Sequence, residues 1–369
     1  MECKHFGACG SCRLHDGGYE TQHGEKTKAI VSLFDELYRD EITPFFSPDS
    51  HYRARAEFKI WHIEDEIHYA MNPMERGAKV ILIEECPMVM KPIEELMWPL
   101  LESIKEMEMG FKLFGLDFLS SSEGEIAISM LYHRRLDEVW NLQANALAKK
   151  HNIKVIGRSR KQKVLLGEDF VTETLEISAK KYTFRHIENS FTQPNPRVNE
   201  KMVGWALEQF KGIHGDLLEL YCGAGNFTIP FATQFEKVLA TEISKSSINA
   251  AKKNMELNSV KNIEFVRMSA EEFVQALDGV REFRRMKEID LKSYELTTIF
   301  VDPPRAGMDE ESCSFASRFE HILYISCNPE TLKRDLDLLT QTHEIEAMAT
   351  FDQFPYTTHM EMGVKLIKR

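Results

Sequence analysis

DLLELYCGAGNFTI, residues 216–229, is an apolar run of strand length that breaks into a glycine turn. At Gly223-Ala-Gly225 the backbone carries almost no side chain, so a ligand can approach it closely where strand gives way to helix. Outward from that junction the pattern repeats. KVLATEI reads as the next strand, SINAAKKNMELN as a helix, IEFVRM as a third strand with a helix over residues 271–277, and TTIFVD and HILYIS as further strands. Upstream, NSFTQPNPRVN is a loop leading into a helix over residues 200–211. Strand and helix alternating in this way predict a mostly parallel, doubly wound α/β sheet with right-handed crossovers. Glu242 closes the second strand nineteen residues beyond Gly223, where a carboxylate accepts from both hydroxyls of a ribose. A dinucleotide fingerprint would set a third glycine where this chain has Asn226, Phe227 and Thr228, so S-adenosylmethionine suits the turn better than NAD.

Reactive residues gather at strand ends in the same half. ILYISCNPE, residues 322–330, is an apolar strand that delivers Cys327 to a turn made by Asn328 and Pro329. An isolated cysteine is ordinarily a small buried hydrophobe. Here it shares its half of the chain with Asp302 and Arg305 of TTIFVDPPRAG and with Glu361 of HMEMG, which makes it a candidate nucleophile. Glu361, framed by His359 and the apolar VKLI, reads as a general base rather than a surface acid near the terminus. Arg305 reads equally as a substrate contact or as half of a structural ion pair. Cys222 and Cys313 read as core fillers.

Hydrophobic residues make up 43% of the 369 and charged residues 28%, the balance of a globular protein with room for two domains. No apolar stretch is long enough to cross a bilayer, which predicts a cytoplasmic protein without membrane contact. A formal charge of −12 argues against a protein that coats nucleic acid by global attraction. Local clusters run against that total. KKHNIKVIGRSRKQK, residues 149–163, carries seven Lys and Arg and no acid, and reads either as a solvated face or as a phosphate-tracking patch. Arg53, Arg55 and Lys59 interleave with Phe58 and Trp61, as a base-stacking platform requires.

The opening, MECKHFGACGSCRLH, spaces Cys3, Cys9 and Cys12 as C-x5-C-G-x-C, and Cys86 of EECPMVM is the natural fourth ligand. Four such cysteines suit an iron–sulfur cluster, of the [4Fe-4S] type, or zinc, with His5 or His15 able to replace one in a zinc site. An amphipathic helix is expected over residues 25–40. Short alternating runs from residue 51 to about 180 (AEFKIWHI, EIHYAMN, KVILIEE, EIAISMLYH, KVIGRS, KVLLG) predict an antiparallel sheet, with helices over residues 92–107 and 136–150. The expected division is residues 1–180 as an N-terminal α+β domain that holds the cysteines and the basic clusters suited to nucleic acid, and residues 181–369 as a catalytic domain. The helix over residues 25–40 is free to pack on the latter.

Taken together and in order, YCGAGNF, TEIS, VDPPRAG, ISCNPETL and HMEMG resemble the RNA uracil-5-methyltransferases. ENSFTQPN, GVREFRRMKEIDLKSY and FDQFPYTTHMEMG are similar to the branch of that family that acts on tRNA, and the likeness runs from about residue 44 to the C-terminus. The resemblance implies a Rossmann-like class I methyltransferase domain. It implies Cys327 as nucleophile, Glu361 as proton acceptor, and Gln193, Tyr221, Asn226, Glu242 and Asp302, with Gly223 and Gly225, around S-adenosylmethionine. The implied substrate is a T-loop uridine of tRNA, position 54 in tRNA numbering, converted to ribothymidine, with transfer-messenger RNA as a further substrate. Phe191, Arg305, Arg53 and Arg55 are the expected RNA contacts, and no obligate protein partner is evident. The cysteine spacing instead resembles relatives that methylate 23S ribosomal RNA and hold an iron–sulfur cluster, which keeps a ribosomal substrate as one alternative. A catalytically silent, RNA-binding iron–sulfur protein is another.

Overall fold

The apolar runs resolve into two large sheets and one hairpin. The computed structural model describes residues 1–369, and no helix in it is long and apolar enough to cross a membrane. The larger sheet has eight strands. In spatial order they are Thr43–Phe45, His343–Phe351, Glu361–Lys368, His321–Ser326, Leu296–Val301, Asp216–Leu220, Val238–Thr241 and Ile263–Val266. Neighbours pair in parallel except around Glu361–Lys368, which runs antiparallel to the strands on both sides. Two cores of buried side chains hold it, one including Phe227, Phe231 and Phe300, the other Phe273, Phe315 and Tyr324. Cys222 lies in the first and Cys313 in the second, as core fillers do.

The smaller sheet has seven strands, in the order Ile81–Leu82, Glu66–Met71, Arg55–Ile63, Leu113–Ser120, Ile126–Tyr132, Lys154–Ser159 and Gln162–Leu166. It is antiparallel except where Ile126–Tyr132 pairs in parallel with Lys154–Ser159. That one parallel pair needs a crossover, and the helix Glu138–His151 supplies it. This helix and Lys91–Glu106 cover one face of the sheet. Trp140 packs so closely on Gly157 that a Cβ there would lie 2.3 Å from the indole. The opposite face keeps Arg55, Glu57, Lys59 and Trp61 in or near solvent.

Sheet membership divides the chain differently from the expected boundary at residue 180. Strand Thr43–Phe45 pairs with residues 349–351 at the edge of the catalytic sheet. The hairpin Phe170–Ile177 and Lys180–Ile187 buries Leu175, Ile177, Tyr182 and Phe184 in the same core as Val203 and Ala251 of the catalytic half. Both segments follow the surface that buries their apolar side chains.

The N-terminal helix spans Gly18–Phe34 rather than residues 25–40. Its buried face is polar in its first half, with Gln22, His23 and Lys26 ahead of Ile30 and Phe34. Apolar periodicity therefore could not show where it begins. Lys26 Nζ donates to Asp352 Oδ1 at 2.6 Å and to the Phe354 carbonyl at 3.2 Å, and Gln22 Nε2 donates to Asp352 Oδ2 at 3.2 Å. A buried charge pair is costly to break because removal of one partner strands the other. Lys26→Met is expected to cost roughly 3–5 kcal/mol in urea unfolding, and Lys26→Met with Asp352→Asn less than the two single losses summed. A single-variant loss below about 1 kcal/mol would show that the pair is effectively solvated.

Candidate active site

Strand register places the reactive residues. Ser326 pairs with Met362 across antiparallel strands, and one step further the same register sets Cys327 opposite Glu361. On the far side of Cys327, strand Leu296–Val301 ends one residue before Asp302. Cys327 is partly buried and Glu361 is 5% exposed. Burial, reinforced by Asp302, pushes the Glu361 carboxyl up to about 8, and burial alone takes Asp302 to about 7. Burial, then Glu361 and Asp302, raises the Cys327 thiol to about 11, and Arg305 opposes them. Thiol, two carboxyls and guanidinium thus share one electrostatic neighbourhood. Arg305 is exposed, and its side chain makes no ion pair. Its carbonyl instead accepts from Asn328 Nδ2 at 3.2 Å, which ties the two strand-end loops together.

The glycine turn lies beside this group because the strand that leads into it, Asp216–Leu220, pairs in parallel with Leu296–Val301, so both end at the same edge of the sheet. Tyr221, Gly223 and Gly225 all have positive φ, of 64°, 55° and 84°. A non-glycine residue held there is mildly strained, as backbone at ligand sites often is. A Cβ on Gly223 would meet nothing within 4 Å, so the turn faces open space. Glu242 Oε2 accepts from Gly223 N at 3.1 Å and its Oε1 from Ser244 N at 2.7 Å, which fixes the carboxylate against the turn. Asn226 exchanges two side-chain hydrogen bonds with Asn199, at 2.8 and 2.9 Å. Asn199 was not legible as a site residue, and neither was Glu219, buried on the strand into the turn with Oε2 unpartnered. Exposed Ile243, next to Glu242, adds an apolar surface for a flat ring. An open glycine cradle, a fixed carboxylate, an unpaired buried acid and an apolar platform fit a small polar ligand with one aromatic ring.

Gln193 sits on a strap held from both sides. The Pro194 carbonyl accepts from Ala54 N of the smaller sheet at 2.8 Å, and Asn195 N donates to Gln353 Oε1 at 3.2 Å. Asn195 then caps the helix Pro196–Gln209, which carries Asn199 to the turn. Phe191, on the same strap, is 77% exposed. Arg55 Nη1 donates to the Ser190 carbonyl at 2.9 Å, and its Nη2 meets Glu57 at 3.2 Å. Arg53 lies 5.9 Å over the Phe354 ring. Both arginines are thus committed in part to the frame of the site.

The four N-terminal cysteines line one largely apolar cavity with Phe6, Met71, Ile83 and Met88, and none forms a disulfide. Burial raises Cys12 and Cys86 to about 12, with the other thiols of the group adding to the shift. No three His, Cys, Asp or Glu side chains converge on a single ion. His5 Nε2 accepts from Glu84 N at 3.0 Å, and His15 stacks on Phe6.

The profile of the family described as tRNA (Uracil-5-)-methyltransferase matches residues 18–369. A tRNA/tmRNA (uracil-C(5))-methyltransferase of Sulfurimonas denitrificans is 60% identical over the whole of both chains. One of Vibrio vulnificus is 48% identical over 95% of this chain and 97% of its own. Among solved structures, the tRNA (uracil-54, C5)-methyltransferase of Pyrococcus abyssi in complex with S-adenosyl-L-homocysteine superposes with a TM-score of 0.74 at 25% identity, covering 97% of this chain and 86% of that one. The strand-end thiol, the glycine turn and the match over almost the full length agree: this chain belongs to the tRNA (uracil-5-)-methyltransferase family.

Proposed function

We propose that the protein transfers a methyl group from S-adenosylmethionine to carbon 5 of the T-loop uridine at position 54 of tRNA, and of the equivalent uridine in transfer-messenger RNA. The observation that carries this reading is the antiparallel ladder that ends at Ser326 opposite Met362, one residue short of Cys327 and of Glu361, beside the glycine turn. The donor supplies an electrophilic methyl on a sulfonium. Carbon 5 of uracil is too weak a nucleophile to take it unaided. Cys327 gives its proton to solvent as sulfur bonds to carbon 6, the ring becomes an enolate, and its carbon 5 attacks the methyl as the methyl–sulfur bond breaks and S-adenosylhomocysteine leaves. Glu361, as carboxylate, then removes the carbon 5 proton, the double bond re-forms and the thiolate leaves. The target base must leave its loop to reach a thiol this deeply set, and exposed Phe191 is suited to stack against it. Gln193, Tyr221, Asn226, Glu242 and Asp302 hold the donor in this reading. The relatives' names support tRNA and transfer-messenger RNA, and none supports the ribosomal alternative.

We also infer that Cys3, Cys9, Cys12 and Cys86 hold a [4Fe-4S] cluster, supported by their shared cavity. Its role is structural in this reading, since the same segment binds the catalytic turn: the Tyr356 carbonyl accepts from Arg13 N and Leu14 N at 2.8 and 2.9 Å.

Labelled S-adenosylmethionine with an unmodified tRNA transcript is expected to place label at uracil carbon 5. Cys327→Ala should form no covalent RNA adduct, whereas Glu361→Gln should methylate and accumulate one. A Glu361→Gln enzyme that turns over normally would remove Glu361 from the mechanism.

Stability should depend on the same carboxyl. Well below its ordinary value of 4.5 Glu361 is protonated folded or unfolded, but between that value and about 8 the unfolded chain ionises first, so its burial destabilises the fold increasingly as pH rises. Glu361→Gln is therefore expected to be more stable than the parent at pH 8, by on the order of 1–3 kcal/mol, with the gain vanishing as pH falls below 4.5. A gain that did not grow with pH would show that the acid is not desolvated.

Anaerobically prepared protein should be brown with sulfur-to-iron charge-transfer absorbance, lost in Cys12→Ser. A colourless preparation with stoichiometric zinc would overturn the cluster.

A further inference from the structure

We propose that a cavity on the smaller sheet, remote in sequence from the catalytic strands, is a second RNA-binding site that seats the phosphodiester backbone of the substrate. It rests on the reading above that the substrate is RNA. The cavity, of about 830 Å³, is lined by Arg134 and Arg135 after strand Ile126–Tyr132, Arg158 on strand Lys154–Ser159, and Arg160 and Lys161 in the turn that follows. No Asp or Glu lines it, in a chain that carries twelve more acidic than basic side chains.

The basic run of residues 149–163 does not act as one face. Lys150 pairs with Glu106, Lys154 with Glu125 and Glu168, and Lys163 with Asp169, so these lysines are neutralised within the fold. Arg160 and Lys161 have no carboxylate partner and line the cavity beside Arg134 and Arg135, which come from a separate loop and are likewise unpaired with acid. Cations gathered this way repel one another, and an anion is what would relieve the repulsion. Lys161 also holds φ 59° in a tight hairpin turn, where glycine or asparagine is the relaxed choice, so a cation is kept there against backbone preference.

Planar guanidinium forks in a broad, open cavity match successive phosphates, whose oxygens they can bind in pairs. One wall of the cavity is tied to the strap that carries Gln193. Arg158 on its wall binds Glu188 Oε2 at 2.5 Å, and two residues further along the strap Ser190 is held by Arg55, immediately before Phe191 and Gln193. RNA lying across this face would therefore enter the site along the strap that carries the stacking residue.

The test is steady-state methylation of an unmodified tRNA transcript by the full chain and by Arg135→Ala/Arg160→Ala/Lys161→Ala, at several NaCl concentrations. All three side chains are exposed and remote from the donor's turn, so the fold and S-adenosylmethionine binding should be unchanged. KM for tRNA is expected to rise roughly tenfold or more with kcat within about twofold, and the slope of log KM against log[NaCl] to fall by about 2–3, near one for each phosphate that is no longer neutralised. Arg135→Lys/Arg160→Lys should recover most of the salt slope. A triple variant with unchanged KM and salt slope would overturn the proposal. A parent enzyme that methylates no RNA would overturn instead the reading on which it rests.

Discussion

Glu361, Asp302 and Cys327 are forced into one desolvated end of the sheet, and most of the architecture serves that crowding. Like-charged carboxylates in a dry pocket cannot both ionise cheaply, which is why burial and mutual repulsion raise Glu361 to about 8 while burial holds Asp302 near 7. The crowding follows from one topological choice. Because Glu361–Lys368 is inserted antiparallel between two strands that run the other way, its first residue arrives where the neighbouring strand ends. A parallel final strand would have put Glu361 at the opposite edge of the sheet, away from the thiol.

Residues 352–360, the turn before that strand, must be held rigidly for the register to mean anything chemically, and three separate parts of the chain hold them. The N-terminal helix supplies Lys26 to Asp352, and Gln22 both donates to Asp352 and accepts from Tyr356 N at 3.2 Å. The smaller sheet reaches over with Tyr52, whose hydroxyl donates to the Pro355 carbonyl at 3.1 Å. The cysteine segment adds two backbone bonds to Tyr356, a residue in the left-handed region at φ 61° that would relax without them. Segments far apart in the chain thus converge on the turn that leads into Glu361.

The strand tips were legible in the sequence because each is a local signal: an apolar run, then a turn residue, then a reactive side chain. The glycine turn, Cys327, Asp302 and Glu242 all sit where that grammar puts them. What escaped was long-range. Strands Leu113–Ser120 and His343–Phe351 and the hairpin of residues 170–187 have no chemical marker, and whether a half-polar run pairs, and with what, depends on partners far along the chain. Thr43–Phe45 is too short to carry periodicity, yet it joins the catalytic sheet. The helix Gly18–Phe34 hid its first half because the surface it buries against is charged, which apolar patterning cannot detect. The fourth cysteine, by contrast, was found by counting ligands and by the proline that follows it, and it lines the same cavity as the other three.

The raised thiol and carboxyls carry a consequence for the ligand that suits the site. With burial holding the Cys327 thiol near 11 and Glu361 near 8, both groups favour the protonated form at neutral pH. A sulfonium beside them favours every ionised form at once, since a nearby positive charge stabilises carboxylate and thiolate alike. The same desolvation that suppresses ionisation strengthens the attraction to a cation, so the burial that holds the thiol and the carboxyls protonated also suits the site to a positively charged ligand.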